Sequence, residues 1–203
     1  MTQTSNTATT SAYGEELGLA HRCASGDRTA QRQFFHEHKS RVHATLYRIL
    51  GSNRDMEDLV QESFLQVFRS LSGYRGEASL ATWVSRITAR VAYAHLSRRR
   101  VSTVGLESVP DAPTDDPDAE RHLMARQATR RLYDVLDRVD PKHRIAFTLH
   151  AIGGHPLREV AEIMEASVVA TKSRVWRARK EIARRARRDP ILAEYLRGAE
   201  RAT

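Results

Sequence analysis

Residues 157–184 read LREVAEIMEASVVATKSRVWRARKEIAR, two helical patterns separated by three residues. Leu157, Val160, Ala161 and Met164 recur at helical spacing and predict a first helix over about 157–164. Glu165-Ala166-Ser167 forms the turn, with Ser167 placed to cap the next helix through its hydroxyl. In that second helix Val168, Thr171, Val175, Ala178 and Ile182 follow at steps of 3, 4, 3 and 4, a stripe that packs inward. Lys172, Ser173, Trp176, Arg177, Lys180 and Arg184 fall on the other face. Two short helices, a tight turn and a basic outer face on the second helix are what a helix-turn-helix requires. The second helix enters the major groove, its N-terminal half meets base edges, and Arg or Lys also grip phosphates.

A solvated basic face on a surface helix is the plainer reading of any charge run. Two features weigh against it. Nine of the 17 residues from Lys172 to Arg188 are Lys or Arg, with a single Glu among them. Trp176 also lies on the charged face, where a core tryptophan would be misplaced.

Outward from this segment the chain stays helical. Gly153-Gly154-His155-Pro156 breaks it, and Asp140-Pro141 is a helix start with proline in the first turn. Periodicity runs back from Val139 to about Ala119. Residues 101–120 then change character, with three prolines, six acids and no Lys or Arg, a linker composition. Before the linker the pattern is helical, interrupted at Gly51-Ser52-Asn53 and Gly73-Tyr74-Arg75-Gly76. No alternating apolar pattern predicts a strand. The expected fold is all-α. A mobile tail spans 1–19 and a first helical domain 20–101. A flexible acidic linker follows over 102–119, then a helix-turn-helix domain over 120–188 and a C-terminal extension over 189–203.

Composition bounds what this chain can be. Its 203 residues, 40% hydrophobic and 29% charged, allow one or two domains with real cores and exclude wholesale disorder. No run approaches the roughly 18 apolar residues of a membrane helix. The N-terminus lacks the basic-then-apolar pattern of a signal peptide, and the lone Cys23 excludes an internal disulfide. The chain therefore reads as soluble and cytoplasmic. Lys plus Arg number 33 against 25 Asp plus Glu, a net +8, which suggests a polyanionic partner.

Two further faces stand out in the first domain. Residues 55–71 read DMEDLVQESFLQVFRSL, with Met56, Leu59, Val60, Phe64, Val67, Phe68 and Leu71 as the buried stripe. Asp58, Gln61, Glu62 and Leu65 share another face, an acidic patch around an exposed leucine that suits a basic partner helix. From spacing alone, an ordinary polar face is the simpler reading. Residues 79–100 carry Leu80, Val84, Ile87 and Val91 on one side and Arg86, Arg90, Tyr93, Ser97 and Arg100 on another. A basic stripe holding an aromatic ring can grip a strand and stack a base. The loop Tyr74 to Ser79 beside it could receive a flipped base. Trp83 reads as a core residue capping the bundle.

Catalytic signatures are missing. There is no GxxxxGK[ST], GxGxxG, GxSxG or HEXXH. His36 and His38, two residues apart, point to different helix faces, and His43 adds no third ligand at metal spacing. No enzyme, cofactor or metal is expected.

Taken together, these segments resemble a bacterial extracytoplasmic-function (ECF) RNA polymerase sigma factor, of the primary sigma family. Asp58-Leu59-Val60-Gln61-Glu62-Ser63-Phe64 resembles the region 2 segment that docks on the polymerase β′ coiled coil. Tyr74-Arg75-Gly76-Glu77 followed by Thr82-Trp83 resembles the "FRGES…TW" stretch that handles the −10 element. Lys172-Ser173-Arg174 through Arg177-Ala178-Arg179-Lys180 resembles the "VKSRLHRARK" helix of region 4 that reads the −35 element.

The resemblance implies three sets of residues. Asp58, Gln61, Glu62 and Leu65 would face polymerase. Tyr74, Arg75, Gly76, Glu77, Arg86, Arg90, Tyr93, Arg98, Arg99 and Arg100 would serve the −10 element. Lys172, Ser173, Trp176, Arg177 and Lys180 would serve the −35 element. Implied partners are core RNA polymerase, through its β′ coiled coil and β flap, promoter DNA, and an anti-sigma factor. The linker would thread near the RNA exit path. A stand-alone helix-turn-helix regulator is the alternative. The chain departs from the family at Arg90 and Ala94, where Asn and Asp are frequent, and at Glu165, where the turn glycine usually stands. Glu165 must therefore adopt a backbone conformation that glycine takes more cheaply.

Overall fold

The computed structural model of the chain describes residues 4–101, 119–190 and 193. Among the described residues there is helix and no strand. Helix α1 spans Thr4–Ala24, α2 Arg28–Leu50, α3 Met56–Ser70 and α4 Leu80–Val101, with a 3-10 turn at Leu71–Gly73. After the linker come α5 (Ala119–Leu136), α6 (Pro141–Phe147), α7 (Leu157–Ile163) and α8 (Val168–Ala186). A π-helical turn, Thr148–Ile152, continues α6.

Local chemistry explains the helix ends. The Asp27 carboxylate accepts from the amides of Thr29 (2.8 Å) and Ala30 (3.1 Å), which starts α2. Asp140 does the same for Lys142 and His143, with Pro141 in the first turn, so that start signal is borne out.

The first lobe packs α1 to α4 around Phe34, Leu46, Ile49, Phe64, Val67, Leu80 and Val84. The second packs α5, α6 and α8 around Leu136, Val139, Ala178 and Ile182. The lobes also share a core, because Ile145, Leu149, Val160 and Ile163 join the apolar cluster of the first lobe. The acidic linker falls outside the described residues over 102–118. Of the C-terminal extension, only Asp189, Pro190 and Ala193 are described.

From Thr4 on, the stretch expected as a tail over 1–19 is helical, and its C-terminal end packs on the core. Helix α1 begins at Thr4, Leu17 and Leu19 pack against the core, and Ala20 and Cys23 are buried. Its Thr- and Ser-rich start masked a short apolar edge that becomes stable only once a core is there to cover it.

The junction between the lobes is built on the end of α2. A helix leaves its last carbonyls without intrahelical partners. Tyr133 Oη donates to Arg48 O at 2.7 Å. Arg144 Nε and Nη2 donate to Ile49 O and Leu50 O, each at 2.8 Å. Arg144 is 1% exposed and pairs with Asp137, and its positive charge suits the negative end of the helix. Burial pushes the Tyr133 hydroxyl up to about 12. Gly51 closes α2 in the left-handed conformation, φ 73°, and the Tyr133 ring lies against it. A Cβ at this position would meet Tyr133 Cδ1 at 2.1 Å.

Candidate nucleic-acid interface

Helix α7, the turn and α8 follow the sequence reading closely. Glu165 takes φ 49°, as the missing glycine requires. Two hydrogen bonds hold it there: Ala166 N to Ala161 O (2.9 Å) and Glu165 N to Glu162 O (3.2 Å). This is the Schellman pattern, in which two otherwise unpaired carbonyls are satisfied and offset the left-handed strain. Ser167 Oγ then accepts from Ala170 N at 3.1 Å and caps α8.

Thr171, Val175, Ala178 and Ile182 are buried. Val168, expected in the same stripe, is 45% exposed. Lys172, Ser173, Trp176, Arg177 and Lys180 are all exposed on one face, with Trp176 59% exposed. The Lys180 ammonium sits 5.1 Å from the Trp176 ring centroid, a cation–π contact that orients both side chains outward. Among the described residues no carboxylate pairs with Lys172 or Arg177. Further along, Arg184 and Arg185 share Glu181 and hold its carboxyl down at about 2.

On α3, Asp58, Gln61 and Leu65 are exposed and Glu62 is half-buried, while Met56, Leu59, Val60, Phe64 and Val67 face the core. Leu65 is the apolar centre of this acidic face.

The candidate −10 residues are divided. Tyr74, expected to face DNA, is 4% exposed. Its ring meets Trp83 edge-on at 5.6 Å, and its hydroxyl donates towards Ala78 O (2.8 Å) and Glu16 Oε2 (3.1 Å). It is the pin of the loop, since an aromatic ring gains more from the core than from water. Arg75 and Glu77 are exposed, and Gly76 sits between them at φ 72°. Beside the loop lies a groove of about 310 Å³ walled by Tyr74, Arg75, Glu77, Trp83 and Arg86.

On α4, Arg86 Nε donates to Glu162 O at 2.9 Å, and Arg90 pairs with Glu165. Lys142 lies 5.7 Å over the Tyr93 ring, itself 38% exposed. The basic face of α4 therefore abuts the second lobe, with a cleft of about 510 Å³ between Arg86 and the α7–α8 turn. Arg98 is exposed and Arg99 half-buried, while the side chain of Arg100 lies outside the described residues. Sequence reading missed Glu162 and Glu165 as partners of these arginines, and Tyr133, Asp137 and Arg144 as the junction. Apart from the Arg144–Asp137 pair, seven positions apart, these contacts join residues more than 70 positions apart and leave no periodic trace.

Among the described residues no three His, Cys, Asp or Glu side chains converge as metal ligands. His38 packs on Phe34 and His43 stacks on Tyr47. Among the same residues, no helix is long and apolar enough to cross a membrane.

The described residues are helical, with a tightly turned basic helix in one lobe and an acidic helix face in the other. The sequence profile of Sigma-70 region 2 matches residues 34–101, and that of Sigma-70, region 4 matches 129–182. The chain is 30% identical over 175 residues to the ECF RNA polymerase sigma factor SigE of Mycolicibacterium smegmatis, covering 83% of this chain and 67% of that one. It is 27% identical to the ECF RNA polymerase sigma-E factor of Haemophilus influenzae, covering 82% of this chain and 93% of the relative. In fold it resembles CnrH, solved in complex with the cytosolic domain of CnrY, with a TM-score of 0.58 at 23% identity over 86% of this chain and 98% of that one. The sigma factor RpoE of Bartonella quintana, solved with the anti-sigma factor NepR, gives 0.53 at 19% identity over 78% of this chain and 97% of that one. The chain belongs to the ECF RNA polymerase sigma factors.

Proposed function

We propose that this sigma factor reads a promoter with two lobes while a third surface holds core RNA polymerase. Asp58, Gln61, Glu62 and Leu65 dock on the β′ coiled coil, carboxylates meeting basic side chains around one apolar contact. Arg75, Gly76 and Glu77 of the loop, with the groove walled by Trp83 and Arg86, take the −10 element. Lys172, Ser173, Trp176, Arg177 and Lys180 lie in the major groove of the −35 element. The second lobe also meets the β flap. The protein supplies specificity and no bond chemistry, and it works in the cytoplasm, where polymerase and chromosome are. An anti-sigma factor is a further expected partner, as RpoE of Bartonella quintana has in NepR.

The observation that carries this reading is the outer face of α8. Five polar, basic or aromatic side chains project together from a helix whose opposite stripe is buried and whose entry is fixed by a capped turn. Because Arg86 and Arg90 are engaged by Glu162 and Glu165, serving both promoter elements requires the lobes to part.

Run-off transcription on genomic DNA with purified core polymerase tests the whole reading, and no initiation at any template would end it. Asp58→Arg combined with Glu62→Arg is expected to abolish co-purification with core while leaving the circular dichroism melt unchanged. Retained co-purification would remove the polymerase assignment. A gel shift separates the alternative, since a stand-alone regulator binds specific DNA tightly without core.

A further inference from the structure

Glu16 anchors the Tyr74–Ser79 loop from outside it. Glu16 Oε2, on α1, lies 3.1 Å from Tyr74 Oη and 3.0 Å from Leu80 N. A single carboxylate oxygen therefore accepts from the first residue of the loop and from the first residue of α4. The Leu80 amide is one of those a helix start leaves unpaired, and Ser79 Oγ takes another, from Thr82 N at 3.2 Å. The negative charge also faces the positive end of α4. Leu17, the next residue of α1, covers Gly76, where an added Cβ would come within 3.3 Å of Leu17 Cδ1. Both the ends and the crest of the loop are thus set by α1, 58 to 64 residues away in sequence.

We propose that Glu16 is a positioning residue for −10 recognition. It touches no DNA. It fixes the path of the loop, and the loop fixes where Arg75 and Glu77 stand relative to the groove beside Trp83 and Arg86. This rests on the −10 reading of the loop given above. Glutamine in place of Glu16 keeps an acceptor oxygen at the same reach and preserves both hydrogen bonds, whereas alanine removes them.

The test uses the full chain bound to core polymerase and a DNA library randomised across the −35 and −10 regions, with the transcripts sequenced. Glu16→Ala is expected to cut discrimination among −10 sequences at least fivefold and to leave −35 preferences within twofold. Glu16→Gln is expected to restore −10 discrimination to within twofold of the unaltered protein. Unchanged −10 preferences in Glu16→Ala would overturn the proposal, as would equal losses in the Ala and Gln variants. So would a parallel loss at both elements with a lowered melting temperature, which marks a general folding defect. Arg75→Ala and Glu77→Ala separate the two levels. If they change −10 preferences while Glu16→Ala does not, only the positioning role falls. If neither changes them, the −10 reading of the loop falls and takes this inference with it.

Discussion

Helices α4 and α8 each carry a basic face with an aromatic ring, yet the two faces are in opposite situations. On α8, Lys172 and Arg177 stand in solvent beside an exposed Trp176. On α4, Arg86 and Arg90 already have acceptors, Glu162 O and the Glu165 carboxylate, and Lys142 lies over Tyr93. Composition and periodicity treat the two helices alike. What separates them is tertiary placement, for the turn that aims α8 outward is the same turn that engages α4. One face stands open to solvent, and the other is engaged by its own chain.

That contrast breaks most readily at the junction. Arg144→Ala leaves Asp137 as an unpaired, partly buried carboxylate and strips donors from Ile49 O and Leu50 O. A loss of about 3–5 kcal/mol is expected in denaturant unfolding. A loss below about 1 kcal/mol would mean that the lobes are not held together in solution, and the two helices would then be equivalent. Next in size is Arg177→Ala on the open helix, expected to weaken −35-dependent transcription by about 1–3 kcal/mol if the guanidinium reads a base. Equal loss across all −35 sequences would reassign it to a phosphate. The smallest effect is expected from Glu165→Gln, which frees Arg90 from a solvent-exposed pair worth about 0–1 kcal/mol. DNA affinity of the free chain, measured by fluorescence anisotropy, should rise by a factor of a few at low salt and converge with the unaltered protein at high salt. A decrease would show that Glu165 does not shield α4.

What the sequence made legible was local. Ser167 and Asp140 announce helix starts through side chains that bond amides two or three residues on, and Glu165 announces a strained turn because a glycine is missing there. The α8 stripe is equally local, apart from the exposed Val168 at its start. Of the candidate site, the exposed faces of α3 and α8 were readable because burial on one side of a helix leaves the other side in solvent. The burial of Tyr74 was not readable, because an aromatic residue in a loop between glycines reads as exposed, while its packing depends on Trp83 and on Glu16 from α1. The junction was invisible because Arg144 looks like any surface arginine until the end of α2 is placed against it.

Gly51 gives that junction a single-atom handle. The aromatic ring of Tyr133 rests where any side chain at 51 would begin, so one added carbon would act as a wedge between the halves of the protein. A splayed form is therefore reachable without altering any residue assigned to polymerase or promoter.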